Sequence, residues 1–302
     1  MFVGIIRAAG AVAWKCSHRC IIRRDIIMNS PAEVAKNYIG IGKGKVNTPI
    51  GKMFVLAILA GAFIAFAGVA ATTVSVSVEA ASLAKFIGAC VFPGGLAMVL
   101  LAGSELFTGN CLLAIPLFER EITIGGMLKN WIVVWIGNFV GSMIVAMICV
   151  GGHQAGLFSN GLATSMISTA VAKTSMTWGD AFIKGIACNF LVCIAVWIAF
   201  SAKQVHGKLI GLFFPIMMFV LCGFEHSVAN MYYIMVGLFA KLVPDYADAA
   251  TAAGVDFSNL TWGSMFTANL IPVTIGNIVG GFVCVGMAYW FVYLRGAKKE
   301  NA

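Results

Sequence analysis

The sequence predicts an all-α membrane protein of six transmembrane helices, folded as two halves that repeat in inverted orientation. Three observations predict it. The composition is too apolar for a soluble domain. Six segments are long enough to cross a bilayer. Polar motifs recur at matching places, in segments two and five and in segments three and six.

Composition comes first. Hydrophobic residues make up 60% of the 302 and charged residues only 11%, with a mean hydropathy of +0.93. Globular domains carry about 25% charged residues, and a soluble core of this size has no room for so much apolar surface. The formal charge of +8 is not a nucleic-acid signal. No basic stripe interleaved with aromatics lies outside the apolar segments, so the expected partner is the lipid bilayer and not nucleic acid. Cys90, Cys111, Cys149, Cys188, Cys193, Cys222 and Cys284 sit in apolar runs and read as small buried hydrophobes. Cys16 and Cys20 flank His18, but no second ligand group accompanies them, so no metal and no cofactor is expected.

The chain begins unusually. An apolar run from Val3 to Trp14 precedes Lys15, Arg19, Arg23 and Arg24, the reverse of a signal peptide. After Met28 comes a helix start: Ser30 as N-cap, Pro31 at the first position, Glu33 closing a capping box. Residues 1–27 are therefore read as an extension ahead of a natural start at Met28, with an amphipathic membrane anchor as the alternative. Residues 28–52 are expected to form a cytoplasmic amino-terminal helix, 53–296 the six-helix transmembrane domain and 297–302 a cytoplasmic tail.

The six segments run roughly over 53–75, 84–116, 127–151, 179–201, 209–240 and 264–294. An even number places both termini on one side. That side carries Lys36, Lys43, Lys45, Lys52, Arg120, Lys129, Lys203, Lys208, Arg295, Lys298 and Lys299. The other carries Lys85, Lys173 and Lys241, with Lys184 just inside the fourth span, and an acidic loop with Asp245, Asp248 and Asp256. The positive-inside rule puts both termini in the cytoplasm of a multi-pass protein of the cell membrane.

Span two carries Pro93-Gly94-Gly95 and then Gly103-x-Glu105-x-x-x-x-Asn110; span five carries Pro215 and then Gly223-x-Glu225-x-x-x-x-Asn230. Span three contains Ile136-Gly137-Asn138-Phe139-Val140-Gly141-Ser142, and span six contains Ile275-Gly276-Asn277-Ile278-Val279-Gly280-Gly281. Two halves of three spans each must be inverted relative to one another. Spans two and five read as broken helices, and broken backbone at membrane depth lines a path or is buried. Free N–H groups at such breaks suit an anion.

Ionisable residues deep in the spans are few: Glu105, Glu225 and His226, with Lys184 nearer an end. The two Glu are equivalent, so they read as structural, each accepting hydrogen bonds from loop N–H groups at its break. A proton relay is the alternative. His226 has Leu106 as its counterpart, so the repeat does not require it. Histidine exchanges a proton near neutral pH; the alternative is a hydrogen-bonded packing residue. Phe92, Leu96, Leu106, Phe107 and Phe219 make the surrounding path apolar. A bare anion is opposed there, and a neutral acid passes more easily. Gly40-x-Gly42-x-Gly44-Lys45 fails as a phosphate loop because Val46 follows and no strand precedes. No hydrolase or haem motif accompanies it, so an enzyme is not expected.

Three stretches carry a resemblance: Gly103-Ser104-Glu105-Leu106-Phe107-Thr108, Gly223 to Asn230 (GFEHSVAN), and Asn269 to Asn277 (NLIPVTIGN). Over residues 30–296 the chain resembles the formate/nitrite transporter family, most of all its formate channels. The resemblance implies an aquaporin-like fold and a ring of five protomers, each with its own pore. It implies a central histidine at His226, a loop threonine at Thr108, a pore asparagine at Asn189, an outward anion-attracting lysine at Lys173, and Asn230 closing the histidine motif. It implies constrictions at Phe92, Leu96, Leu106, Phe107, Val192 and Phe219. The Pro93-Gly94-Gly95 triplet departs from the formate channels of enteric bacteria and bears on the width of the slit.

The expectation is a homopentameric, proton-linked channel or transporter for small monovalent anions of weak acids, formate first. Nitrite or hydrosulfide is the alternative within the family. A neutral-solute pore and a subunit of a membrane complex are the alternatives outside it. Segment 31–45 is further expected to serve as a pH-sensitive cytoplasmic plug.

Overall fold

The computed structural model describes residues 28–296. The 1–27 extension, with its Cys16, His18 and Cys20 cluster, and the 297–302 tail lie outside the described residues. Those described are almost wholly helical, with one isolated bridge between Met28 and Ala202.

Eleven helices set the frame among the described residues. They are α1 (Pro31–Asn47), α2 (Ile50–Ser75), α3 (Ala81–Leu101), α4 (Gly109–Phe118, beginning as a tight 3₁₀ turn), α5 (Ile124–Gly151), α6 (Gly161–Thr174), α7 (Trp178–Ser201), α8 (Val205–Leu221), α9 (Ser227–Ala240), α10 (Pro244–Ala252) and α11 (Trp262–Tyr293). Helices α2, α3, α5, α7 and α11 are each long and apolar enough to cross a bilayer. The remaining expected span is divided between α8 and α9.

The amino-terminal helix starts where the sequence places it. Glu33 N–H donates to Ser30 Oγ, and Ser30 N–H donates to the Glu33 carboxylate at 2.7 Å. It then docks on the bundle. Tyr38 is fully buried, edge-on to Phe200, with its hydroxyl donating to the Gly109 carbonyl.

The helix breaks fall at the polar runs and not at the prolines. Phe92 keeps helical angles (φ −57°, ψ −33°), so Pro93 begins a fresh turn without ending the span. Pro215 lies inside α8. The chain leaves α3 and α8 through Gly103 and Gly223, at φ +79° and +69°. Those left-handed angles suit a residue without a Cβ.

The inverted halves are larger than three spans each. Helix α6 stands before α7 as α1 stands before α2, so each half is a short helix, a span, a broken pair and a closing span. Close backbone approach ties the first span of each half to its last. A Cβ on Gly141 of α5 would strike the Ile58 carbonyl of α2, and one on Gly280 of α11 the Ile186 carbonyl of α7. The closing spans differ in detail. Helix α5 is regular, whereas α11 contains wide π turns at Met265–Leu270 and Val279–Met287. Large apolar side chains such as Ile132, Ile148, Ile183, Ile210 and Phe214 cover the outside, the surface of a lipid-facing or subunit-facing bundle.

Candidate functional site

Each helix break is held by an asparagine from the closing span of its own half. Asn138 Nδ2 donates to the carbonyls of Ala57 and Glu105 at 2.7 and 2.9 Å, and its Oδ1 accepts from Phe107 N–H at 2.9 Å. Asn277 does the same with Gly185, Glu225 and Ser227, at 2.8, 2.9 and 2.9 Å. A buried break leaves backbone groups without partners, and each costs about 1–3 kcal/mol if left so. The two asparagines meet that demand. Both lie in the repeated motifs, where a polar residue in an apolar span was the available signal.

Glu105 and Glu225 are therefore not held by loop N–H groups, as the sequence leads one to expect, because the asparagines already use those donors. Each carboxylate instead meets a lysine and side-chain amides. Glu225 takes Lys173 Nζ on both oxygens, at 3.1 and 2.9 Å, and Asn230 Nδ2 at 2.6 Å. Asn230 also donates to Asn269 Oδ1, and Asn269 Nδ2 donates to the Lys173 carbonyl. Glu105 repeats the pattern with Lys45 at 2.8 Å and Asn110 at 2.7 Å; Asn110 also donates to Asn130 Oδ1, and Asn130 Nδ2 donates to the Lys45 carbonyl. Lys45 and Lys173 come from the last turns of α1 and α6. Neither pairing was legible, since 60 and 52 residues separate the partners.

The two halves meet at their centre. Thr108 Oγ1 and His226 Nε2 are 2.8 Å apart, both buried. His226 Nδ1 accepts from Ala229 N–H at 3.0 Å, capping α9. An amide N–H can only donate, so Nδ1 is bare and Nε2 carries the hydrogen of the neutral ring. Nε2–H then donates to Thr108 Oγ1, which leaves the threonine's own hydrogen to be given elsewhere.

Asn189 stands beside this contact. Its Nδ2 donates to the carbonyls of Thr108 and Asn277, at 3.2 and 2.6 Å, so both amide hydrogens hold backbone. In the mirrored place, Ser142 Oγ lies 3.4 and 3.5 Å from the Gly61 and Val228 carbonyls, which share its one hydrogen.

A vestibule of about 700 Å³ opens on the Lys173–Glu225 side and reaches His226. Phe92, Phe219, Lys85 and Lys184 help to line it. Phe219 stacks on the His226 ring at 5.8 Å and meets Phe92 edge-on at 5.7 Å. Thr108, Asn189, Leu96, Leu106, Phe107 and Val192 do not line the vestibule and are buried in the core. Phe107 rests edge-on against Trp131 at 6.1 Å.

A helical bundle broken at two matched places within its spans has the architecture of a multi-pass membrane channel. The sequence pattern described as "Formate/nitrite transporter" matches residues 32–291. The chain belongs to the formate/nitrite transporter family, whose members are transporters and channels and not enzymes. It is 39% identical over 284 residues to a "Probable formate transporter" of Methanothermobacter thermautotrophicus, covering 88% of this chain and 97% of that one. It is 37% identical over 271 residues to "Formate channel FocA" of Escherichia coli (strain K12), covering 88% and 94%. Among solved structures, a "Pentameric formate channel with formate bound" superposes with a TM-score of 0.73 at 36% identity, covering 81% of this chain and 98% of that one. An "FNT family ion channel" superposes at 0.72 with 29% identity, covering 87% and 98%.

Proposed function

We propose that this chain is a proton-linked channel or transporter for small monovalent anions, formate first, that works as a homopentamer in the cell membrane with both termini in the cytoplasm. The names of its relatives support formate and the five-membered ring. The lysine and arginine distribution supports the orientation, which turns the vestibule outward.

The Thr108–His226 contact carries the reading. An anion that reaches the ring edge meets a hydroxyl with a hydrogen to give. A neutral imidazole does not surrender its one proton, so transfer begins when a proton from the vestibule adds to Nδ1 and releases Ala229 N–H. The anion's charge favours that cation. Thr108 passes its hydrogen to the anion and takes the one from Nε2. The sum is one proton and one anion consumed and one neutral acid formed, which crosses the apolar residues Leu96, Leu106, Phe107 and Val192 at lower cost than the ion. The resting ring returns as Nδ1 loses its proton and Nε2 gains one. Glu105 and Glu225 keep the breaks in shape, with Asn189 fixing the Thr108 carbonyl. Helix α1, seated through Tyr38 and Lys45, acts as the cytoplasmic plug.

The test is uptake into proteoliposomes of formate, nitrite, hydrosulfide, lactate and glycerol across a range of pH. Formate flux that rises with an inward proton gradient, and falls in His226→Ala, is the expected result. Equal flux in wild type and His226→Ala overturns the proton link. A complete lack of monoacid flux overturns the transport reading.

A further inference from the structure

The vestibule holds three lysines and one carboxylate, and the pairing among them is unequal. Lys173 is committed to Glu225 through both carboxylate oxygens and lies over the Tyr233 ring at 5.5 Å. Its charge is neutralised at short range, which does not suit the anion-attracting role that the family resemblance implies for it. Lys85 and Lys184 line the same vestibule, and no carboxylate lies within ion-pair distance of either among the described residues. The Lys85 ammonium stands near Gly223, at the end of α8, 3.8 Å from where a Cβ on that glycine would lie. The carbonyl end of a helix holds a cation in place without supplying a full countercharge.

The repeat has no lysine at either counterpart position. Glu225 N–H donates to the Lys184 carbonyl, as Glu105 N–H donates to the Leu56 carbonyl. Lys184 is thus the counterpart of Leu56. Lys85 stands twenty residues before Glu105, and Val205 stands twenty before Glu225. At those two positions the other half of the repeat carries apolar residues where this mouth carries cations.

We infer that Lys184 and Lys85 form the collecting site that draws small carboxylate anions into the outer mouth. The inference rests on the transport reading above. Like charges in a cleft with apolar walls focus their field outward and raise the local concentration of a counter-ion. The effect acts on capture and leaves the Thr108–His226 step alone. It fades as salt shortens the range of the field, to about 8 Å at physiological ionic strength.

The experiment measures formate flux by stopped flow in proteoliposomes of defined sidedness, from each face, at ionic strengths from about 0.01 to 0.3 M set with an impermeant salt. In wild type the outer-face KM is expected to rise about tenfold across that range, with little change at the inner face. The variant pairing Lys184→Leu with Lys85→Gln is expected to raise the outer KM about tenfold at low salt, flatten its salt dependence and keep the maximal rate. Lys208→Gln, on the opposite side, should leave the outer KM alone. An outer-face KM that does not respond to salt in wild type overturns the inference without any variant. So does an unchanged KM in a double variant that still elutes as wild type. Wild-type protein that passes no monoacid instead overturns the transport reading.

Discussion

Thr108 Oγ1 and His226 Nε2 lie 2.8 Å apart although 118 residues separate them, and each belongs to a different half. In the proposed mechanism the threonine hands on what the imidazole holds. Thr108→Ser keeps the hydroxyl and should keep most of the formate flux. Thr108→Val keeps the shape and removes it, and flux should fall at least tenfold, the loss of one charge-assisted hydrogen bond of about 1.5–3 kcal/mol. Comparable flux through the two variants would remove the hydroxyl from the mechanism.

The Lys45–Glu105 pair joins α1 to the first break with both side chains mostly covered. Removing one partner leaves a charge without its counter-ion, which costs about 3–5 kcal/mol when burial is complete and less here, since water reaches the lysine. Lys45→Met should lower the temperature at which detergent-solubilised oligomer disappears from a sizing column. Adding Glu105→Gln should restore part of the loss. If the double variant is no more stable than the single one, the ion pair is not what the lysine supplies.

Glycines on the two closing spans and on α1 should behave in opposite ways. Gly141→Ala and Gly280→Ala drive a methyl group into the Ile58 and Ile186 carbonyls, and assembled protein should be lost. Gly40 and Gly44 on α1 are exposed, with open space around them. Alanine at either should be tolerated and should favour the helix by up to about 1 kcal/mol. Expression and thermal stability of the four variants check this.

The start of α1 should respond to acid. The Ser30 N–H, then its hydroxyl, holds the Glu33 carboxyl below its ordinary value of 4.5. A depressed folded-state pKa stabilises above the ordinary value and stops doing so as pH falls through the lowered one. Amide exchange over residues 32–34, corrected for intrinsic rate, should therefore quicken as the pH falls below the ordinary 4.5 and not between pH 5 and 8. Ser30→Ala loses the hydroxyl that accepts from Glu33 N–H but keeps the backbone N–H, so exchange should quicken at neutral pH and still respond to acid.

Much of this frame can be read from the chain. Apolar length gave the spans, Ser30-Pro31-Ala32-Glu33 the first helix, and Gly103 and Gly223 the two breaks. What stayed hidden was long-range pairing. Helix α6 is too short and too polar to count as a span, so its kinship with α1 shows only when Lys173 is seen to hold Glu225 as Lys45 holds Glu105. The expected loop N–H partners of the two carboxylates were wrong for a related reason. Those donors are spent on Asn138 and Asn277, 31 and 50 residues further on. Pro93 misleads because an imino acid ends a helix only where its missing N–H or its ring matters, and the first turn after Phe92 requires neither.

The division of contacts between the halves also sets an order for biogenesis. Lys45, Glu105, Asn110, Asn130 and Asn138 all lie in the first half, so that half can close its own break before the ribosome has made the second. The second half likewise carries Lys173, Glu225, Asn230, Asn269 and Asn277. The bond between Thr108 and His226 exists only once the two have docked. A chain arrested before docking thus has both breaks closed and the contact between its halves still unmade.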